Sequence, residues 1–167
     1  MNFSNLDKVE LKKYIDFMMY QYRIVDAFWF IYVEEEHGLK AAEHINEQVW
    51  TKVAKLAARD IKERFKIEEK GLRGFVRAFG FFPWANIIDY QIEEKGDEVI
   101  FSVPHCPPQE ARIRKGMGEF ACRDMHFAEF SSFAKEIDER IKVECLFAPP
   151  GNHPEDMFCK WRFTCTR

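Results

Sequence analysis

Residues 105–137 read HCPPQEARIRKGMGEFACRDMHFAEFSSFAKEI, and the other elements of the chain can be placed around them. They hold two of the five cysteines and two of the five histidines. The periodicity of residues 119–137 predicts a helix in which Cys122 and His126, four positions apart, share one face. Three apolar residues extend that face: Phe130, Phe133 and Ile137. We therefore expect Cys122 and His126 to point toward a core or a pocket.

The composition is typical of one globular domain. With 167 residues and a mass of 19.9 kDa, the chain is large enough to bury a core without disulfides. Residues 1–70 should form a helical hairpin, and residues 71–167 should form an aromatic helix plus a sheet. The net charge is −3, with acidic and basic residues interleaved. This pattern argues against a nucleic-acid partner and against an anionic membrane surface.

The sequence also bears on the cellular compartment. The amino terminus lacks the basic start and apolar centre of a signal peptide, and no apolar run reaches membrane-spanning length. Five cysteines, an odd number without a repeating spacing, argue against a disulfide framework. We therefore expect a cytoplasmic protein whose thiols are free for metal binding, catalysis or packing.

Two long helices are predicted at the amino terminus, over residues 6–36 and 39–67, with Gly38 between them. In the first helix the apolar residues step by four and three alternately: Leu11, Ile15, Met18, Tyr22, Val25, Trp29 and Tyr32. In the second, seven residues are expected to face the first helix: Ala42, Ile45, Val49, Val53, Leu56, Ile61 and Phe65. The short join predicts an antiparallel hairpin. The long apolar seam of the first helix further predicts a homodimer formed through the hairpins.

Asp26 is unusual because it lies among apolar residues of the first helix. It could pair with a basic residue of the second helix such as Arg59, or it could reach into a pocket. The pairing is favoured, because buried carboxylates are usually paired.

The segment GLRGFVRAFGFFPW, residues 71–84, is crowded with aromatic residues in a chain that has 17 Phe and 4 Trp. It predicts a short helix that ends at Gly80. Together with two sheet residues it could border a cavity for an apolar or aromatic small molecule. The candidate ligand-binding residues are Phe75, Phe79, Phe82, Trp84, Tyr90 and Phe101. The alternative is an aromatic plug between the helical hairpin and the sheet.

Alternating apolar residues predict two β-hairpins, one on each side of residues 105–137. A turn at Lys95-Gly96 would place Ile92 opposite Val99 and Tyr90 opposite Phe101. A second hairpin, symmetric about Asn152, would place Cys145 opposite Cys159 and Val143 opposite Trp161. The fold class is therefore α+β: a long helical hairpin, then β-β-α-β-β, with a small, largely antiparallel sheet and one covering helix. The strand after that helix should run parallel to the strand before it, in a right-handed crossover.

This arrangement should bring distant histidines and cysteines together at one end of the sheet. The candidate metal ligands, with zinc as the candidate ion, are His105, Cys106, Cys122, His126, Cys145 and Cys159. Alternatively, Cys122 near a helix start is a nucleophile of lowered pKa, with His126 or His105 as base and Asp124 or Glu110 in support. In a third interpretation the cysteines are unreactive core residues of a ligand-binding or scaffold domain.

A scattered motif in the carboxyl-terminal half comprises Cys106-Pro107, EFACRD at residues 119–124, Cys145, and a glycine loop before CKWRF at residues 159–163. It resembles the amino-thiazoline-carboxylate hydrolase-like proteins, most of them uncharacterised, and distantly the 4-vinyl reductase small-molecule-binding domains. The helical half, with DAFWF at residues 26–30 and EEEHG at residues 34–38, is similar to a branch of that family without an assigned function. The resemblance implies that Cys106, Cys122, Asp124 and Cys159 are family positions.

The functional expectation is a protein that binds a small molecule in an aromatic cavity beside a Cys/His cluster, with a metal ion as a candidate cofactor. The alternative is a cysteine- or metal-dependent hydrolase that cleaves a C–N bond in a small amidine- or amide-like substrate.

Overall fold

The structure, a computed structural model, describes residues 3–166 and has the α+β architecture that the sequence predicts. Six α-helices are found in this part of the chain: α1 (Lys8–His37), α2 (Leu39–Arg64), α3 (Gly71–Phe79), α4 (Pro83–Ile87), α5 (Pro107–Arg114) and α6 (Arg123–Ile137); a short 3₁₀ helix, Phe3–Asn5, precedes them. The strands are β1 (Gln91–Lys95), β2 (Glu98–Val103), β3 (Ile141–Phe147) and β4 (Cys159–Cys165). Two of these helices were not predicted: α4, which follows α3, and α5, which lies between β2 and α6.

Local capping sets the bounds of the helical hairpin. The Asp7 carboxylate accepts hydrogen bonds from the backbone N–H groups of Val9 and Glu10, both at 2.8 Å. The Glu10 carboxylate in turn accepts from the Asp7 N–H at 3.1 Å, which completes a capping box. Gly38, with φ +83°, separates α1 from α2, because this conformation is open to glycine and strained for other residues. Both predicted helices are confirmed.

The predicted inner face of α2 is wrong in part. The residues of α2 that are buried are Ala42, Asn46, Trp50, Ala54, Ala58 and Ile61, and this stripe packs mainly on α6. Three residues expected to face α1 are instead exposed: Val49, Leu56 and Phe65. The small alanines explain the choice of face, since they allow α6 to approach α2 closely.

Helix α1 consequently lies at the side of the molecule, and none of its residues is fully buried. Most of its predicted apolar seam faces away from the rest of the chain; Val25 and Tyr32, for example, are 66% and 58% exposed. The side of α1 that faces the protein carries Asp26 and Phe30, which border a cavity. The seam is thus present, but α2 does not cover it.

The sheet has the strand order β1-β2-β4-β3, with all neighbours antiparallel. Strand β3 therefore runs in the same direction as β2, as predicted, but β4 lies between them. Both predicted registers are wrong by two residues. Ile92 pairs with Phe101 around a turn at Gly96-Asp97, and Cys145 pairs with Trp161. Because side chains alternate with period two, this shift keeps each residue on its predicted face.

The inner face of the sheet packs on α3 and α6, and α2 covers α6 from the other side. Phe75, Phe79, Phe82 and Phe101 lie in this core and are at most 1% exposed. The ring centroids of Phe79 and Phe101, for example, are 4.9 Å apart. The alternative of an aromatic plug between helices and sheet is therefore the correct one for these four rings.

Gly74 allows a close packing of α3 on the chain that precedes it. A Cβ atom at this position would overlap the carbonyl oxygen of Glu69 and lie 2.7 Å from the carbonyl carbon. Only glycine fits without a backbone shift.

In the described part of the chain, no helix combines the length and the apolar character needed to cross a membrane.

Candidate functional site

A cavity of about 310 Å³ lies between the second half of α1, α2 and the segment that contains α5 and the start of α6. Its walls are largely apolar and aromatic: Phe30, Ile31, Trp50, Trp84, Ile88, Phe120 and Met125. Arg23, Arg114, Lys115 and Met117 are exposed lining residues, so they mark the side that opens to solvent. The volume is at the lower end of the range for small-molecule pockets.

Two side-chain clamps build the wall contributed by α5. Gln109, which is fully buried, donates to the Phe120 carbonyl at 2.9 Å and accepts from the Phe120 N–H at 3.1 Å. Arg112 donates to the Gly118 carbonyl at 3.2 Å and forms a two-point ion pair with Glu34 of α1, whose longer contact is 3.0 Å. These bonds hold the loop before α6 against the end of α1.

Asp26 of α1 projects into this cavity. The pKa of its carboxyl is raised to about 6, mainly by burial. A hydrogen bond from the Trp50 indole lowers this pKa, and the negative charge of Glu129 raises it. Within residues 3–166 the carboxylate has no ion pair with a basic side chain. The predicted pairing with Arg59 is wrong, because Arg59 binds Glu136 at 3.2 Å. The alternative, a carboxylate that reaches into a pocket, is confirmed.

His126 and Glu129 line the same cavity from α6. The His126 Nδ1 atom lies 2.8 Å from the Glu129 Oε2 atom, and the Glu129 side chain is only 4% exposed. Tyr22 lies near both Asp26 and Glu129. Burial raises the pKa of its phenol well above the usual value, and the negative charges of Asp26 and Glu129 add to this shift. The two carboxylates therefore act on one small region of the protein.

Asn46 completes the polar lining. It is 5% exposed and borders the cavity, between Ala42 and Trp50 on the buried stripe of α2. Its carboxamide forms no hydrogen bond to another side chain or to the backbone among the described residues, although burial of a polar group is costly without a partner. Asn46 is therefore available to bind a group that enters the cavity.

The thiol cluster consists of three buried cysteines, Cys106, Cys122 and Cys159, of which the first two line the cavity. Burial raises the pKa of all three, to about 11 for Cys106, to about 12 for Cys159 and well above the usual value for Cys122. Repulsion between thiolate charges adds to this effect. Cys106 and Cys159 further raise the pKa of Cys122, and Cys106 further raises the pKa of Cys159. These thiols are therefore protonated at neutral pH.

The predicted convergence of six metal ligands is only partial. Cys145 lies near Cys159 but only half-buried, beside Arg123 and Asp124. His105 points outward, 77% exposed, with its Nδ1 atom 3.3 Å from Glu110. His126 is bound by Glu129. Across residues 3–166 no group of three or more His, Cys, Asp or Glu side chains is arranged to hold a metal ion, and thiolate, the form that binds metal, is disfavoured by burial.

The predicted catalytic residues Cys122, His126 and Asp124 are not arranged as a nucleophile, base and orienting acid. The helix predicted over residues 119–137 begins only at Arg123, so Cys122 occupies the N-cap position of α6 without a side-chain capping bond. Burial outweighs the helix dipole there and raises the pKa of the Cys122 thiol. The Gln109 amide donates to the Cys122 sulfur at 3.4 Å. Asp124 is exposed, and the acid that contacts His126 is Glu129. This geometry does not provide Cys122 with an activating base and an orienting acid.

Of the six aromatic residues predicted to bind a ligand, Trp84 alone lines this cavity. Tyr90 packs against Phe79, with ring centroids 5.4 Å apart. The sequence interpretation missed Asn46, Trp50 and Glu129. Each had a signal, because Asn46 and Trp50 are four residues apart on one face of α2, and Glu129 follows His126 by three residues on the predicted buried face of α6.

Comparison with known proteins assigns a family and leaves the activity open. Among curated proteins, no significant match to this chain is found. The resemblance to the amino-thiazoline-carboxylate hydrolase-like proteins therefore stays a prediction. Residues 4–165, nearly the whole chain, match a family of unknown function called DUF6125, and the protein belongs to that family.

Proposed function

We propose that this protein binds a small apolar or aromatic molecule in the cavity between α1, α2, α5 and α6. The observation that carries the proposal is the lining: aromatic walls surround a few buried polar groups, and among the described residues Asp26 has no ion-pair partner and the Asn46 side chain has no hydrogen-bond partner. This combination is characteristic of ligand sites, in which apolar walls supply affinity and sparse polar groups supply orientation. The protonated thiols at its edge contribute to the wall as small hydrophobic groups.

The test is the binding of indole, a neutral aromatic probe, to the purified protein. Binding is monitored through changes in the chemical shifts of the backbone amides in NMR spectra. We expect shifts at residues of the cavity, above all on α5 and the start of α6. Ala111→Phe should abolish these shifts, because Ala111 lines the cavity and a phenyl ring would fill it. Ile113→Phe is the matched control, since Ile113 is on the same helix but 48% exposed. Equal binding by both variants would refute the assignment of the site.

The active form is further proposed to be a homodimer that buries the outer side of α1. The large apolar residues exposed on this side are Leu11, Ile15, Phe17, Met18, Val25, Phe28 and Tyr32. Five of them belong to a seam with alternating four- and three-residue steps, the spacing by which two helices pack together. A helix of 30 residues is about 45 Å long, enough for an interface of standard size, about 800 Å² per partner.

Light scattering at micromolar concentration tests the dimer. We expect a mass near twice 19.9 kDa for the unmodified chain and a monomer for Val25→Glu, because a carboxylate would be buried without a partner at the interface. Lys13→Glu is the control on the same helix, at an exposed position outside the apolar stripe. A monomeric mass for the unmodified chain at this concentration would rule the dimer out.

A further inference from the structure

The interior of the cavity has more acidic than basic groups. Asp26 and Glu129 supply two carboxylates, whereas His126 is the one described lining residue away from the mouth that can supply a positive charge not already paired with an acid outside the cavity. Arg112 also borders the cavity, but its guanidinium is already paired with Glu34. Even with a protonated His126, one carboxylate therefore lacks a counter-charge. An uncompensated carboxylate in a site of low solvent exposure is unfavourable unless a ligand neutralises it.

The groups around the carboxylates suit a positive ligand. Trp50 and Trp84 form an aromatic wall, with ring centroids 5.6 Å apart, and aromatic faces attract cations through their electron-rich surfaces. Asn46, a residue that is 5% exposed, has a carboxamide without a protein partner among the described residues, and this group can accept a hydrogen bond from a nitrogen donor. These contacts come from α1, α2, α4 and α6, so the ligand would be held from several sides.

We propose that the ligand of this cavity carries a cationic nitrogen group, an ammonium or an amidinium, on a small apolar or aromatic body, and that Asp26 and Glu129 bind this group. The inference rests on the proposed binding of a small molecule in the cavity and names its chemical class. Asp26, which has no ionic partner in the described chain, makes the principal contact. Glu129 adds a second negative charge while it stays bonded to His126.

The opposite assignment, an anionic ligand, would rely on the basic residues at the mouth. Arg114 is partly neutralised there by Glu110, at 3.8 Å, and Arg23 lies over the ring of Tyr20. Both side chains, like that of Lys115 at the same mouth, are exposed to solvent, where charges contribute little binding energy. A carboxylate that entered the interior would meet two acids of like charge. The interior groups therefore decide the charge of the ligand.

The experiment compares benzamidine, which is cationic, with benzamide, a neutral molecule of nearly the same shape, and with benzoate, an anion. Dissociation constants for the full chain are measured by NMR titration at pH 7.5. We expect benzamidine to bind at least about tenfold more tightly than benzamide, the ratio typical of one added hydrogen bond to a charged group. Benzoate should bind most weakly. Asp26→Asn should lower the ratio of benzamidine affinity to benzamide affinity by about tenfold, because it removes the principal negative charge.

Asp16→Asn is the matched control, because Asp16 is on the same helix but exposed and outside the cavity. It should keep the preference for benzamidine. Benzamide binding as tightly as benzamidine, or benzoate binding most tightly, would overturn the cationic assignment while leaving ligand binding in place. A preference that survives Asp26→Asn would overturn the role of Asp26. Absence of binding by all three probes would contradict the proposed function itself.

Discussion

Replacement of Asp26 by asparagine should make the unliganded protein more stable at neutral pH. Burial raises the pKa of this carboxyl from 3.8 to about 6, a difference of roughly two units, and each unit corresponds to about 1.36 kcal/mol. The folded protein therefore pays up to about 3 kcal/mol at pH 7 to keep Asp26 ionised. Residual solvent contact makes this an upper limit. Asparagine has nearly the same shape and removes the charge.

The sign of the pH dependence follows from the raised pKa. Between about pH 4 and pH 6 the folded state binds the proton more tightly than the unfolded state, so the contribution of Asp26 to stability falls as pH rises. Below pH 4 both states are protonated and the penalty is absent. The gain from Asp26→Asn should thus be about 3 kcal/mol at pH 7.5 and roughly half of that at pH 5.

Urea unfolding of the wild type, Asp26→Asn and the exposed control Asp16→Asn at these two pH values measures the effect. Asp16→Asn should change the free energy of unfolding little at either pH, because it lies outside the cavity and exposed to solvent. A variant Asp26→Asn that is equally or less stable than the wild type at pH 7.5 would refute the reasoning. So would a gain that is independent of pH.

Three further predictions concern packing and chemistry. Gly74→Ala should lower the melting temperature by at least about 6 °C, because its Cβ would collide with main-chain atoms, whereas Gly80→Ala, in open helical geometry, should change it little by calorimetry. The thiol cluster should react with a thiol reagent at pH 7.5 only after unfolding, whereas the two half-buried cysteines react in the native state, as mass spectrometry of timed samples can show. Arg112→Leu should cost about 3 kcal/mol in urea unfolding, because it leaves Glu34 half-buried without its partner; Arg114→Leu, at an exposed pair, should cost less than about 1 kcal/mol.

Alternation of apolar residues predicted the faces of the strands but not their register. Apolar residues at every second position assign faces, and all predicted faces in β2 and β4 are correct. A shift by two residues preserves these faces, so only the turn selects among the allowed pairings. In the first hairpin Gly96 takes the first central position of the turn, with φ +62°. Because β1 is an exposed edge strand, packing gives no further preference.

Helix α5, which begins with Pro107 and Pro108, was not predicted from the sequence. Proline is well suited to the first turn of a helix, where its missing N–H costs nothing. The buried role of Gln109 could not be deduced, because its partners are the backbone of Phe120 and the sulfur of Cys122. Those contacts join residues more than ten positions apart and exist only after the loop has folded back.

Asp26 shows the same limit at the candidate site. Its position among apolar residues of α1 indicated that it was special, and both alternatives, an ion pair or a pocket, were consistent with the pattern. Which alternative holds depends on how α2 is rotated about its axis. The alanine stripe of α2 packs on α6, so that Arg59 reaches Glu136 and Asp26 is left facing the cavity.

The amino-acid sequence alone determined the order and type of most elements, because helix periodicity, strand alternation and glycine stops act over a few neighbouring residues. It also indicated that Cys122, which is the N-cap residue of α6, and His126 point toward the interior. Tertiary structure decided which side of α2 is buried, where the cavity lies and which groups reach it. It also raised the thiol pKa values of Cys106, Cys122 and Cys159, since the pKa of a thiol depends on burial by distant elements. These properties arise from contacts between segments, and no local pattern encodes them.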